Sequence, residues 1–291
     1  MRKMTLAAVL GACVVGLVLV VILLWGQRDA AGPAAGPGIL VSASAGELKS
    51  ADAGDPGKAD NGRAATGVAA IERAAKAGKY LFVFFYKEES EKTGEMRKVF
   101  HAAMDKASDR ADWVEVKAAD PSEKAIVDKF GVGRAPMPLA LALAPNGAVT
   151  GGFPVEFDEK RLLQAIASPG LAQCLKGLQQ RKLVFVCVQN QATKSNEAAM
   201  QGVRDFEADP RYTGATEVVT LDPAKSEEAK LLGQLSVDPD TKEAVTVLLA
   251  PPGAVLGTCQ GATSKSQIVA MLDKAKVSCG SGGCGPSSGA G

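Results

Sequence analysis

Leu81-Phe82-Val83-Phe84-Phe85-Tyr86 runs directly into Lys87-Glu88-Glu89-Ser90-Glu91-Lys92-Thr93-Gly94, and this junction decides the fold. Six consecutive apolar or aromatic strand formers predict a strand buried on both faces. The polar run cannot continue that strand. From there on, Met96, Val99, Phe100, Ala103 and Met104 recur at helical spacing and give one apolar face. The chain thus reads buried strand, polar turn, amphipathic helix. In α/β folds, chemistry often gathers where a central strand ends and a helix begins.

Working outward, Val68, Ile71, Ala74 and Ala75 mark a helix before the strand, stopped at Gly78. Beyond the junction, Trp113 to Val116 reads as a second strand. Asp120-Pro121-Ser122-Glu123 is a capped helix start leading to Ile126, Val127 and Phe130. Met137-Pro138 then precedes Leu139-Ala140-Leu141-Ala142-Leu143-Ala144, a large/small alternation that puts leucines on one strand face and alanines on the other. The small face lets a helix pack close. Pro145-Asn146-Gly147 is a hairpin turn, and Asp158 caps a closing helix through Leu162, Leu163 and Ile166.

The order then repeats. Leu171 to Leu178 reads as a helical connector, and Leu183 to Val188 is again a continuous buried strand. Gln189 to Asn196 is again a polar turn, followed by a helix through Met200, Val203 and Phe206. Thr216 to Leu221 is a strand, Asp222-Pro223 matches Asp120-Pro121, and Leu235-Ser236-Val237 sits where Phe130-Gly131-Val132 sat. Val245 to Leu249 with Pro251-Pro252-Gly253 repeats the hairpin, and Ile268, Met271 and Leu272 close the unit. Recurrence at one-domain spacing is what an internal duplication produces.

These pieces, over roughly residues 67 to 275, resemble the thioredoxin-like superfamily. The resemblance implies an α/β fold of two tandem thioredoxin-like domains. It places the family's Cys-x-x-Cys on Ser90-Glu91-Lys92-Thr93, where both cysteine positions carry hydroxyls. A hydroxyl has no accessible thiolate chemistry, so disulfide exchange cannot run at that position. In the second copy the pair maps onto Gln191 and Lys194, and the cis-proline position maps onto Ala244. In the first copy the resemblance makes Pro138 the cis-proline beside a peptide-docking edge, with Pro136 as the nearby alternative. Ser90 and Thr93 also read simply as a helix cap and first turn.

The flanks read differently. Leu6 to Trp25 is an uncharged run long enough to cross a bilayer, behind Arg2 and Lys3. The expected arrangement is a signal anchor over 1–28, a flexible Ala/Gly/Pro-rich linker over 29–66, thioredoxin-like domains over 67–168 and 169–277, and a flexible Gly/Cys tail over 278–291. A cleaved signal, giving a secreted protein, and a lipoprotein built on Leu10-Gly11-Ala12-Cys13 are the alternatives. Each sends the domains out of the cytoplasm, and an anchor leaves them on the periplasmic side of the inner membrane.

A net charge of +1 with no charge run gives no electrostatic footprint for nucleic acid. The single histidine, His101, reads as a surface side chain. Alone it excludes a His-rich metal site and leaves no second histidine for a triad. Neither metal nor cofactor is expected. Cys187 reads as a buried small hydrophobe, while Cys174 and Cys259 are open to disulfide pairing. Cys279 and Cys284, four small residues apart, are the candidate redox pair outside the usual position. The expected function is therefore a membrane-anchored, extracytoplasmic, redox-inactive module that binds an unknown protein partner. The alternative is a thiol-disulfide oxidoreductase or relay working through Cys279 and Cys284.

Overall fold

A computed structural model describes residues 66–280, with side chains as far as residue 275. The anchor at 6–25, Cys13, the linker up to residue 65 and Cys284 lie outside the described residues. Among the described residues no helix is long and apolar enough to cross a membrane.

The first half runs α1 (Gly67–Lys76), β1 (Tyr80–Tyr86), α2 (Glu91–Lys106), β2 (Ala111–Lys117), α3 (Lys124–Lys129), β3 (Leu139–Leu143), β4 (Val149–Pro154) and α4 (Glu159–Leu163). The second half runs α5 (Pro169–Gln179), β5 (Leu183–Val188), α6 (Asn196–Glu207), β6 (Thr216–Leu221), α7 (Ala229–Gln234), β7 (Val245–Ala250), β8 (Ala254–Gln260) and α8 (Lys265–Gly280). A short 3-10 turn, Pro121–Glu123 or Ser226–Glu228, precedes α3 and α7 respectively. Each half holds one four-stranded sheet, ordered β2-β1-β3-β4 and β6-β5-β7-β8. In each, the first strand of the half lies inside the sheet, with the second strand parallel to it on one side and the third antiparallel on the other. This order and these connections are the thioredoxin-like arrangement, present twice.

β1 is apolar throughout because helices cover both faces of its sheet. Phe82 and Phe84 face a core with Phe100, Ala103 and Met104 of α2. Leu81, Val83 and Phe85 face the opposite core, with Ala70 and Ala74 of α1 and Ile126 of α3. Burying each of these phenylalanines contributes roughly 2–3 kcal/mol. The alternation in β3 resolves the same way. Leu139, Leu141 and Leu143 join the α1 and α3 side, and Ala140, Ala142 and Ala144 the α2 side.

The duplication reaches individual contacts. Glu123 accepts a bond from Gly67 N at 2.7 Å, and Glu228 accepts one from Gly170 N at 2.9 Å, each carboxylate capping the first helix of its half. Lys79 pairs with Asp112 at 3.3 Å, and Lys182 with Glu217 at 3.1 Å, each tying the start of a central strand to its parallel neighbour. Gly131 and Ser236 occupy the same helix-ending position at φ 62 and φ 56, left-handed backbone that glycine adopts without strain.

Three element boundaries differ from the sequence reading. α2 begins at Glu91, ahead of its apolar stripe, because Ser90 caps it and shortens the polar turn to residues 87–90. The segment read as a connector is the first helix of the second half, α5, capped by Ser168 with Pro169 in its first turn. α8 continues to Gly280, so Cys279 lies on its final turn. α5 is shared: Ala172 and Leu175 pack into the first half's core, and Cys174 and Leu178 into the second's. Gln179 adds bonds from its side chain to Val149 O at 2.7 Å and from Val149 N at 3.0 Å.

Candidate functional site

β1 delivers the chain to the C-terminal edge of its sheet at Tyr86, and four residues later α2 starts. Ser90 is the N-cap: its Oγ accepts from Thr93 N at 3.1 Å and lies 3.0 Å from Thr93 Oγ1. Thr93, itself buried, donates through Oγ1 to Glu88 O at 3.1 Å. Both hydroxyls are thus committed to closing the helix end. Among the described residues no base is bonded to either, so neither is set up there as a nucleophile.

The end of β1 pairs with the start of β3, Phe85 opposite Leu139. The Met137–Pro138 peptide is cis, and Pro138 is buried while Pro136 is exposed. Pro138 O accepts from Val155 N at 2.7 Å. Among the described residues, no backbone hydrogen bond involves Met137. Met137 itself is half-buried. Val155 borders it at φ 66 with 39% exposure, a β-branched side chain held in left-handed backbone. Its counterpart in the second half is Gly261 at φ 75, whose N–H bonds Ala244 O in the same way.

Charged pairs frame the edge. Lys92 donates to Glu156, the residue after Val155, across the mouth of the site. That bond holds the Lys92 ammonium above its ordinary range and the Glu156 carboxyl below its own. Arg97 forks onto Glu89 with two bonds of 2.8 Å, which pulls the Glu89 carboxyl down. The same guanidinium reaches Glu115 at 2.8 Å and lies 5.0 Å over the Tyr86 ring. Glu115 also meets His101 Nε2 at 2.8 Å, and the His101 ring sits 4.6 Å from that of Trp113. His101 is therefore a partnered member of a network anchored to the site's turn, and not simply solvated. Pattern reading missed this network because its members are far apart in sequence.

In the second half seven residues, 189–195, separate β5 from α6, where the first half uses four. Gln191 and Lys194 consequently lie in an extended loop, both exposed, and not at a helix start. The loop is knotted by Thr193, whose Oγ1 accepts from Asn190 N at 2.9 Å and donates to Asn196 Oδ1 at 2.7 Å. Lys194 N donates to Lys242 O, and Ala244 N donates to Lys194 O, both at 2.9 Å. Ala244, unlike proline, has the N–H this second bond needs.

Cys174, Cys187 and Cys259 are free and buried, so neither Cys174 nor Cys259 takes up the disulfide pairing left open by sequence. Burial pushes the Cys174 and Cys187 thiols up to about 12, and raises Cys259 as well. Cys187 and Cys259 flank Thr246 in one row across β5, β7 and β8. Two strand spacings, roughly 9–10 Å, separate them, beyond the reach of about 7 Å that a disulfide allows. Cys279 lies on the last turn of α8. Among the described residues no group of three or more His, Cys, Asp or Glu residues is placed to hold a metal.

No protein-family model matches the chain. No curated protein matches it either. Solved structures similar to it include the first two thioredoxin domains of Saccharomyces cerevisiae Eps1p, at 8% identity over 75% of this chain and 99% of that one, with a TM-score of 0.28. Human ERp44 form II is 11% identical over 76% of this chain and 60% of that one, with a TM-score of 0.33. A DsbH oxidoreductase is 11% identical over 38% of this chain and 84% of that one, with a TM-score of 0.27. The chain's folding unit is thioredoxin-like, and the strand order and the connections described above carry that assignment.

Proposed function

We propose that this chain is a membrane-anchored extracytoplasmic protein whose thioredoxin-like units bind a partner protein without exchanging disulfides. One observation carries the reading. At the head of α2, where the family's chemistry sits, Ser90 and Thr93 are spent on capping, while at the entry to β3 Met137 has no backbone hydrogen bond among the described residues. Unpaired backbone at the entry to β3, next to an exposed apolar side chain, Val155, suits an extended peptide segment held by main-chain bonds. The anchoring part rests on the uncharged run from Leu6 to Trp25 behind Arg2 and Lys3.

A photo-cross-linking residue placed at Met137 of the full chain in its native membrane tests the docking edge. The expected result is a discrete protein adduct that disappears when Val155 is changed to Asp. The same residue placed at exposed Lys129 serves as the control. Equal labelling at both positions would remove the docking edge from the proposal. A reporter fused after Gly291 should be active only outside the cytoplasm, and cytoplasmic activity would reverse the topology.

A further inference from the structure

The second half treats its equivalent edge in the opposite way. Lys194 pairs in parallel with Glu243, through Lys194 N to Lys242 O and Ala244 N to Lys194 O, both at 2.9 Å. Ser195 Oγ adds a bond to Glu243 Oε2 at 2.9 Å. The loop 190–195 therefore lies along the backbone that leads into β7, where the first half leaves Met137 without a backbone partner. Its three additional residues supply the length to reach. We propose that this loop is an intrachain strap: it occupies the strand edge of the second half, so that the chain presents one docking edge, and lifting it exposes a second.

The closed strap carries internal costs. Ser195 is held at φ 63, a left-handed conformation unfavourable for a residue with a Cβ. At the root of the loop, Gln189 Oε1 is buried with no hydrogen-bond partner among the described residues. Both costs are relieved when the loop rises; against them stand the two backbone rungs, the Ser195–Glu243 bond, the Asn190 Nδ2 bond to Asp222 Oδ1 at 2.8 Å, and the Thr193 and Asn196 bonds that tie the loop to its own base. Apart from buried Thr193 the strap is exposed or half-buried, and two backbone rungs with a few side-chain bonds open more readily than the continuous sheet beneath. The consequence for docking rests on the function proposed above; the strap itself does not.

The test is amide hydrogen exchange on the full chain, read at Lys194 and Ala244, with two reciprocal variants. Ala244→Pro deletes one rung and is read at the Lys194 N–H. Lys194→Pro deletes the other and is read at the Ala244 N–H. In the wild-type chain both amides should exchange at least about tenfold slower than that of exposed Gln191, and still faster than that of Val247 in β7. Each variant should accelerate the remaining rung about tenfold or more while Val247 keeps its protection. The pair is informative if either variant folds. Wild-type exchange of Lys194 and Ala244 at the Gln191 rate would overturn the strap. So would a remaining rung unmoved by loss of the other, since its protection would then come from burial alone. Failure of docking at Met137 would leave all these rates unchanged, which tells the two failures apart.

Discussion

Glu228 is a buried carboxylate that accepts from Ser168 Oγ at 2.6 Å and Gly170 N at 2.9 Å, and so joins the linker between the halves to the start of α5. Its counterpart Glu123 is half-buried and takes one such bond, from Gly67 N. Removing an acceptor strands its donors, at about 1–3 kcal/mol for a buried group. Glu228→Ala should therefore cost roughly 2–3 kcal/mol in denaturant titration, and Glu123→Ala about 1 kcal/mol. Equal costs would mean that burial does not set the difference. The buried thiols make a separate prediction. Cys174 and Cys187 are raised from 9.0 to about 12 by burial, and Tyr80 from 10.0 to about 12 chiefly by burial. A group whose folded pKa is raised adds stability that is fully present below its unfolded pKa and lost as the pH climbs through the folded one. Stability should then fall between pH 9 and about 12, followed by circular dichroism in denaturant at each pH. Both cysteines should resist alkylation at pH 8 until the chain unfolds, and their rapid labelling in folded protein would contradict the burial.

At the scale of elements, the strands were the most legible part of the chain. β1 shows as six unbroken apolar residues because helices cover both its faces, and β3 as a Leu/Ala alternation because successive side chains point to opposite faces. The start of α2 was less visible. Its first turn, Glu91 to Gly94, carries no apolar stripe, and only the Ser90 cap marks it. The mapping of Gln191 and Lys194 counted residues from a strand end, and the longer second loop moves them off the helix. Val155, the Arg97–Glu115–His101 network and the Lys194–Glu243 pairing depend on segments distant in sequence, and no local pattern announces them. The alanine face of β3 yields a test. Ala142 is fully buried in the core with Phe82, Phe84 and Phe100. Ala142→Leu should overpack this face and cost about 1–3 kcal/mol, whereas a conservative Leu141→Met on the opposite face should cost less than about 1.5 kcal/mol. A neutral Ala142→Leu in thermal melts would show that the α2 side is not closely packed.

The whole molecule combines two copies of one architecture that have diverged at the same place. The first copy ends β1 in a tightly capped turn and leaves Met137 without a backbone hydrogen bond among the described residues. The second ends β5 in a longer loop that covers its own edge. Neither copy holds a thiol at its turn, and Cys174, Cys187 and Cys259 are buried, with thiols raised above their ordinary range. Shared packing on α5 joins the two cores, so the duplicated halves are coupled around one helix. In the function proposed above, this pair of folds binds its partner without thiol chemistry. The most direct measurement is insulin reduction by the full chain with dithiothreitol as electron donor, alongside Cys279→Ser and Cys284→Ser variants. Turnover at the background rate in all three proteins is the expected result; turnover above background that either substitution abolishes would contradict the claim.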